Sequence, residues 1–154
     1  MKKILILFPL LLGLDLAAKY LVVTYMELHQ TIPVIHNFFS LHYVENSGAA
    51  FGIFANGTLF LIMVGMLVLS FVIYAVIKVK TATWWVALTY ALLLAGIAGN
   101  LFDRIFNGAV VDYLAFSLSS FHFPVFNLAD SFIILAVGSL IISELKKKDG
   151  DAHV

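Results

Sequence analysis

"FNLADSFIILAVGSLIIS", residues 126–143, places an asparagine and an aspartate at the mouth of an otherwise apolar run. Beyond Asp130 only 13 residues remain to Ser143. At about 1.5 Å each they reach about 20 Å, short of the roughly 30 Å hydrocarbon core of a bilayer. A helix that crosses must therefore begin near Val125 and carry Asn127 and Asp130 with it. Either the segment does not cross, or a carboxylate is held at the membrane edge for a reason.

The rest of the chain favours crossing. Of its 154 residues, 62% are hydrophobic and 12% charged, a balance that a soluble domain of this size does not need and an integral membrane protein does. Three further apolar runs, at 4–23, 59–77 and 84–102, each reach spanning length, and the latter two contain no charged residue. The expected architecture is all-α and integral to the membrane, in one unit over 1–154. Four transmembrane helices lie near 4–26, 58–77, 84–104 and 125–144, with two excursions near 27–57 and 105–124. The start resembles a signal peptide, with Lys2 and Lys3 before an apolar stretch. The apolar pattern continues past Lys19 to Met26 without a small-x-small cleavage site, which favours a retained first helix. No cysteine is present, so disulfides, thiolate metal sites and a cysteine nucleophile are excluded. No basic face suited to nucleic acid is evident.

Lysines set the expected sidedness. Lys2 and Lys3, Lys78 and Lys80, and Lys146 to Lys148 all fall on one side of an even number of spans, which the positive-inside rule assigns to the cytoplasm together with both termini. Trp84 and Trp85 suit the inner interface, and the two excursions face outward. In the first, Phe39, Leu41 and Tyr43 alternate with Ser40, His42 and Val44. This predicts a short strand, a turn at Asn46, Ser47 and Gly48, and a second strand, together forming a small extracytoplasmic β-sheet. The second excursion, apolar but broken at Asn107-Gly108 and Ser119-Ser120, predicts a short interfacial helix.

Few charges remain once the lysine clusters and tail acids are set aside. Glu27 and Glu45 lie in the first excursion and are expected to be solvated. Asp15, Lys19, Asp103, Arg104, Asp112 and Asp130 sit in or at the edge of the bilayer, where a charge costs roughly 2.5–3.5 kcal/mol at a helix centre and so wants a partner or a task. Asp15 and Lys19 are four apart on one helical face and can neutralise each other, or Asp15 can order groups on other helices. Asp103 and Arg104, being adjacent, point different ways and each need a partner elsewhere. Asn127 and Asp130 read as a capping box, with the aspartate favoured by the helix dipole. A cap, however, needs no second acid, and Asp112 in "GAVVDYLAF" is one, flanked by apolar residues on the same side. Two facing carboxyls share a proton. The ionised one can activate a water against a peptide carbonyl while the protonated one polarises that carbonyl and then serves the leaving amine. Asn46, Asn100 and Asn127 are neutral donors able to orient such a pair.

Other chemistries fit less well. His29, His36, His42, His122 and His153 all lie outside the spans and form no H-E-x-x-H, which leaves a metallopeptidase without ligands and a serine nucleophile without a base. A metal held by Asp103, Asp112 and Asp130 stays open. Ala95, Gly96 and Gly99 read as helix-packing contacts.

"DLAAK" at 15–19, "ENSGAAFG" at 45–52, "GNLFDR" with "GAVVDY" at 99–113, and "FNLAD" at 126–130 occur in the order and spacing of the lipoprotein signal peptidases (signal peptidase II). The chain resembles that aspartic peptidase family of the bacterial inner membrane along nearly its whole length. The resemblance implies Asp112 and Asp130 as the catalytic pair. It implies supporting or substrate-binding roles for Asp15, Lys19, Asn46, Gly48, Asn100, Asp103, Arg104, Gly108 and Asn127. It further implies cleavage of diacylglyceryl-modified prolipoproteins just before the lipidated cysteine, extracytoplasmic elements that cradle the substrate, and inhibition by globomycin. Many relatives carry a polar residue directly after the helix-one aspartate, where this chain has Leu16. Expected partners are lipid-modified prolipoproteins, membrane lipids and globomycin-type inhibitors, with a monomeric protein and no metal or other cofactor. Two other readings of the same residues stand beside this one: a small transporter or proton-relay subunit, and a set of purely structural caps and packing contacts.

Overall fold

The computed structural model describes residues 1–48, 57–79, 81–118 and 121–151, with 148–151 as backbone. Four helices carry the chain: α1 (Lys2–Tyr25), α2 (Thr58–Lys78), α3 (Trp84–Phe106) and α4 (Leu128–Asp151). All four are long and apolar enough to cross a membrane. Even α2, with 21 residues, extends about 32 Å at 1.5 Å per residue. Where a soluble protein would place polar side chains, α2 shows Leu67 at 72% and Phe71 at 70% exposure. Large apolar side chains on the outside of a helix with no charge in its interior fit hydrocarbon as the solvent.

The centre of the bundle is α3, and small side chains put it there. Ala87, Ala91 and Ala95 are fully buried, and α1, α2 and α4 all pack around this helix. Gly96 and Gly99 set the closeness of approach. A β-carbon at Gly96 would run into the Ala129 carbonyl oxygen and Ile133 of α4, and one at Gly99 would run into Asp15 Oδ2 of α1. These glycines are therefore the packing contacts expected of them, and Gly99 also makes room for a carboxylate. Thr83 starts α3 by accepting a hydrogen bond from the Val86 amide at 3.2 Å.

The excursions meet in one antiparallel sheet of order β1-β2-β3-β4, built from β1 (Thr31–Ile35), β2 (Phe39–Asn46), β3 (Val110–Leu118) and β4 (Phe121–His122). The long central pair joins the two excursions, with Val44 opposite Asp112 and Asn46 opposite Val110. Stacked rings reinforce it: Phe39 on Phe116 at 4.7 Å, and Phe116 on Phe126 at 5.7 Å, which ties the sheet to the entry of α4.

Two expectations change. The second excursion forms no interfacial helix among the described residues. Its core is β3, because Val110, Val111, Tyr113 and Phe116 suit an extended chain and the edge of β2 supplies their backbone partners. Gly108, at φ +78°, turns the chain back from α3 into that strand. In the first excursion β2 runs through Asn46 and bends only at Ser47 and Gly48. The strand expected after the bend lies outside the described residues, and the partner on the other edge of β2 is β1, whose Pro33 is tolerated at a sheet edge.

Candidate active site

Asp112 stands on β3 and Asp130 in the first turn of α4, and both line one cavity of about 440 Å³ at the sheet end of the bundle. Asn46, Asn100 and Arg104 share its wall, which is otherwise apolar and includes Phe123, Phe126 and Ile133. Asp112 is 2% exposed.

The Asn127–Asp130 capping box forms reciprocally. The Asp130 amide donates to Asn127 Oδ1 at 2.9 Å, and the Asn127 amide donates to Asp130 Oδ2 at 3.3 Å. The cap does not exhaust either residue. Asn127 Nδ2 also donates to Asp112 Oδ1 at 2.7 Å and to Asn100 Oδ1 at 3.0 Å. Asn100 Nδ2 donates to Asp130 Oδ1 at 2.6 Å. The capping amide thus links both acids, and a second amide closes the circuit.

Three asparagines could each be turned either way, but a group that can only donate fixes each one. Lys19 Nζ, 3.0 Å from Asn100 Oδ1, demands an oxygen there and so turns the Asn100 NH₂ toward Asp130. The Asp130 amide holds the oxygen of Asn127 and frees its NH₂ for Asp112. The Gly48 amide, at 3.0 Å, holds the oxygen of Asn46, whose NH₂ then donates to Asp112 Oδ2 at 2.9 Å. Every carboxylate oxygen of the pair therefore accepts one N–H donor.

Lys19 is itself buried between two acids, with Asp15 Oδ2 and Asp103 Oδ2 each at 2.9 Å. Asp15 also accepts the Ala129 amide of α4 at 2.9 Å, and Asp103 accepts the Val111 amide of β3 at 3.3 Å. Asp15 thus pairs with Lys19 and orders another helix at once. Asp103 and Arg104 find different partners, as adjacency requires. Arg104 donates to the Gly48 carbonyl at 3.0 Å and to the Asn100 carbonyl at 3.3 Å. Asp103 is engaged with Lys19 and is absent from the cavity lined by Asp112 and Asp130, so the three acids do not converge. Among the described residues no group of three or more His, Asp and Glu is placed to hold a metal.

Burial pushes the Asp112 carboxyl from its ordinary 3.8 up to about 6, against the opposing hydrogen bond from Asn46 and with help from the nearby Asp130 charge. The acid thus holds its proton to higher pH than a solvated aspartate does. Four acids (Asp15, Asp103, Asp112 and Asp130) face two cations (Lys19 and Arg104) here, and a proton on the pair reduces the excess negative charge.

Glu27 and Glu45 are exposed, as expected, and Gly108 serves the turn. Thr58, at the start of α2, carried no sequence signal beyond a polar residue at a helix end. Its hydroxyl lies 3.2 Å from the Ser47 carbonyl and 3.0 Å from that of Gly108, stapling the two excursions beside the cavity.

The family model for signal peptidase II matches residues 7–146. The lipoprotein signal peptidase of Syntrophus aciditrophicus is 36% identical, over 96% of this chain and 98% of its own length. That of Caldanaerobacter subterraneus subsp. tengcongensis is 44% identical over 86% of this chain and 87% of its own. A bacterial membrane enzyme solved by the in meso method superposes with a TM-score of 0.89 at 29% identity, covering 97% of this chain and 92% of that one. With a match that enters all four helices and both excursions, the chain belongs to the signal peptidase II family, a multi-pass membrane peptidase of lipoprotein-processing type.

Proposed function

We propose that Asp112 and Asp130 are the catalytic pair of an aspartic endopeptidase that removes signal peptides from diacylglyceryl-modified prolipoproteins, cutting just before the lipidated cysteine. The observation that carries this reading is Asn127, one amide that caps α4 through Asp130 and donates to Asp112 across 2.7 Å. The pair shares a proton and titrates as a unit. Its ionised member takes a proton from water as the water oxygen attacks the scissile carbonyl. Its protonated member donates to that carbonyl and later protonates the departing amine. The amides of Asn46, Asn100 and Asn127 keep both carboxyls in place while the proton moves, which is preorganisation rather than affinity. Arg104 holds the Gly48 carbonyl and so positions the end of β2 over the cavity.

The lipid anchor supplies proximity. A substrate confined to the bilayer presents its scissile bond at the interface, where the cavity opens, without the extended side-chain contacts a soluble protease needs. Sidedness follows from the lysines. Lys2, Lys3 and Lys78 lie at the bundle end opposite the sheet, so the sheet and the pair face outward across the inner membrane with both termini cytoplasmic. Globomycin-type inhibitors would occupy the same cavity, and the peptidase acts as a monomer.

A proton relay would need titratable groups through both halves of the bilayer. Here Asp15, Lys19, Asp103, Arg104 and Asp130 all lie in the sheet-proximal part of the bundle. Deeper in, the polar contact between α3 and α4 is the Thr89–Ser139 hydroxyl pair at 2.8 Å. The test is to purify the Asp112→Asn and Asp130→Asn variants and assay them on a lipidated precursor. Loss of cleavage in both, with folding retained, is expected. Full activity in either ends the proposal.

A further inference from the structure

At the bundle end opposite the sheet, Leu7 of α1 and Trp84, Trp85 and Leu88 of α3 line a groove of about 210 Å³. Leu7 and Leu88 each sit one turn inside Lys3 and Trp84, so the slot is about 6 Å deep at 1.5 Å per residue. Trp84 and Trp85 are 65% and 60% exposed, which leaves it open on the outside. Its rim is a held cation. Lys3 Nζ donates to the Ala82 carbonyl at 3.2 Å and lies 4.8 Å from the centroid of the Trp84 ring. A lysine that only ends a span reaches outward to water. Lys3 instead turns across to α3, is half-buried, and pairs with no carboxylate among the described residues. An ammonium carries three donors, and Ala82 takes one of them, so N–H groups remain for an acceptor from outside the chain.

Charge and shape select the occupant. Two lysines on α1, one on α2 and three on α4 stand at this pole, whereas its acids, Glu144, Asp149 and Asp151, are all on α4. No acid lies in the first turn of α3. A positive rim above an apolar slot one turn deep matches an amphiphile with an anionic head. A zwitterionic lipid fits the slot but brings a cation that the lysines repel. A partner helix does not fit: one turn about 10 Å across and 5.4 Å in rise fills about 420 Å³, twice the groove.

We infer that the groove between α1 and α3 binds one anionic phospholipid, with its phosphate on Lys3 and the first carbons of an acyl chain against Leu7, Trp85 and Leu88. The site lies at the opposite end of the bundle from the aspartate pair and does not depend on the chemistry proposed there. Lipid tails are as apolar as the slot, so the chain itself adds little selectivity. Selectivity comes from Lys3, which Ala82 and Trp84 hold in place before the lipid arrives. The bound head then ties the start of α1 to the start of α3.

Intrinsic fluorescence tests this directly, because the chain has 2 tryptophans and both line the groove. The full chain is reconstituted in phosphatidylcholine vesicles containing a minor fraction of lipid brominated near the head of its acyl chains, either phosphatidylglycerol or phosphatidylcholine. Quenching is read against the same vesicles without bromine. The parent is expected to prefer the brominated phosphatidylglycerol about fivefold, Lys3→Arg to keep that preference, and Lys3→Gln to lose it. Lys2→Gln, one position away on an exposed side chain, should keep it as well. Equal quenching by the two brominated lipids in the parent would overturn the inference and leave ordinary boundary lipid; that comparison needs no variant to fold. Equal loss in Lys2→Gln and Lys3→Gln would overturn it in favour of a diffuse surface potential. Relief of quenching by millimolar inorganic phosphate would overturn it in favour of a site for the free anion.

Discussion

Replacing Asp112 by Asn separates chemistry from stability. In the folded protein this carboxyl holds its proton up to about pH 6, against an ordinary 3.8. At about 1.36 kcal/mol per pH unit the difference is worth roughly 3 kcal/mol, with the protonated folded state as the favoured one. The folded chain binds more protons than the unfolded chain between those values. Stability is therefore greatest below about pH 4, falls as pH rises through about 6, and then levels off. The Asp112→Asn side chain cannot ionise, so the substitution should remove that slope. It would not be a free gain, because both oxygens of Asp112 accept amides, from Asn46 and Asn127. The new NH₂ must face one of those donors, at a cost of about 1–3 kcal/mol. The variant should thus resemble the parent in stability at neutral pH, be less stable at pH 4, and lose at least about a hundredfold in kcat. Unfolding of both proteins in one detergent, followed by intrinsic fluorescence from pH 4 to 8, reads the slope, and turnover of a lipidated precursor reads the chemistry. An identical pH slope in the two proteins would refute the burial argument, and undiminished turnover would refute the catalytic one.

The other expectations concern the scaffold. Lys19→Met leaves Asp15 and Asp103 buried without their shared cation and should cost about 3–5 kcal/mol; a variant with parental unfolding temperature would show that the charges are neutralised some other way. Gly96→Ala forces a methyl against the Ala129 carbonyl and Ile133 and should cost about 1–3 kcal/mol. Gly108→Ala meets nothing within 4 Å, carries only the strain of φ +78°, and should cost about 1–2 kcal/mol in the same unfolding assay. Asn127→Ala removes both the α4 cap and a donor to Asp112. It should lower stability by about 0.5–2 kcal/mol and, unlike a simple cap loss, shift the pH profile of kcat toward a higher apparent pKa.

What the sequence disclosed depended on which physical signal a segment carries. Spanning helices announce themselves because lipid demands length and apolarity together, and α2 offers both without interruption. The Asn127–Asp130 box was legible because cap and responder sit three residues apart on one chain. β3 was hidden for the converse reason. Val110, Val111, Asp112 and Tyr113 are all buried, so the strand lacks the in–out alternation that marks a half-covered sheet. β1 fails the other way, exposed at all five positions and interrupted by Pro33. Apart from the Asp15–Lys19 pair and the Arg104–Asn100 contact, each four residues apart, the partners of Asp15, Asp103 and Arg104 lie between 8 and 114 positions away in the chain, and no local pattern encodes those.

Those long-range partners explain why so many polar groups are kept in a place that penalises them. Under the mechanism proposed above the aspartate pair exchanges a proton, and a direct counter-ion on either carboxyl would hold it ionised and withdraw it from acid duty. The charge that organises the site is therefore kept one amide away. Lys19 neutralises Asp15 and Asp103, and its hydrogen-bonded route to the pair runs through Asn100, whose oxygen it takes and whose NH₂ it thereby commits to Asp130. Substituting Asn100 by Asp would collapse that separation. Lys19 would still find an oxygen, but Asp130 would face a carboxylate in place of a donor. The pair would become a triad of acids, and cleavage should fall by at least about a hundredfold, with the pH profile of the surviving activity displaced from the parent's. A parental pH profile and rate in Asn100→Asp would mean that the amide carries no orienting role, and the link from Lys19 to the dyad would fall with it.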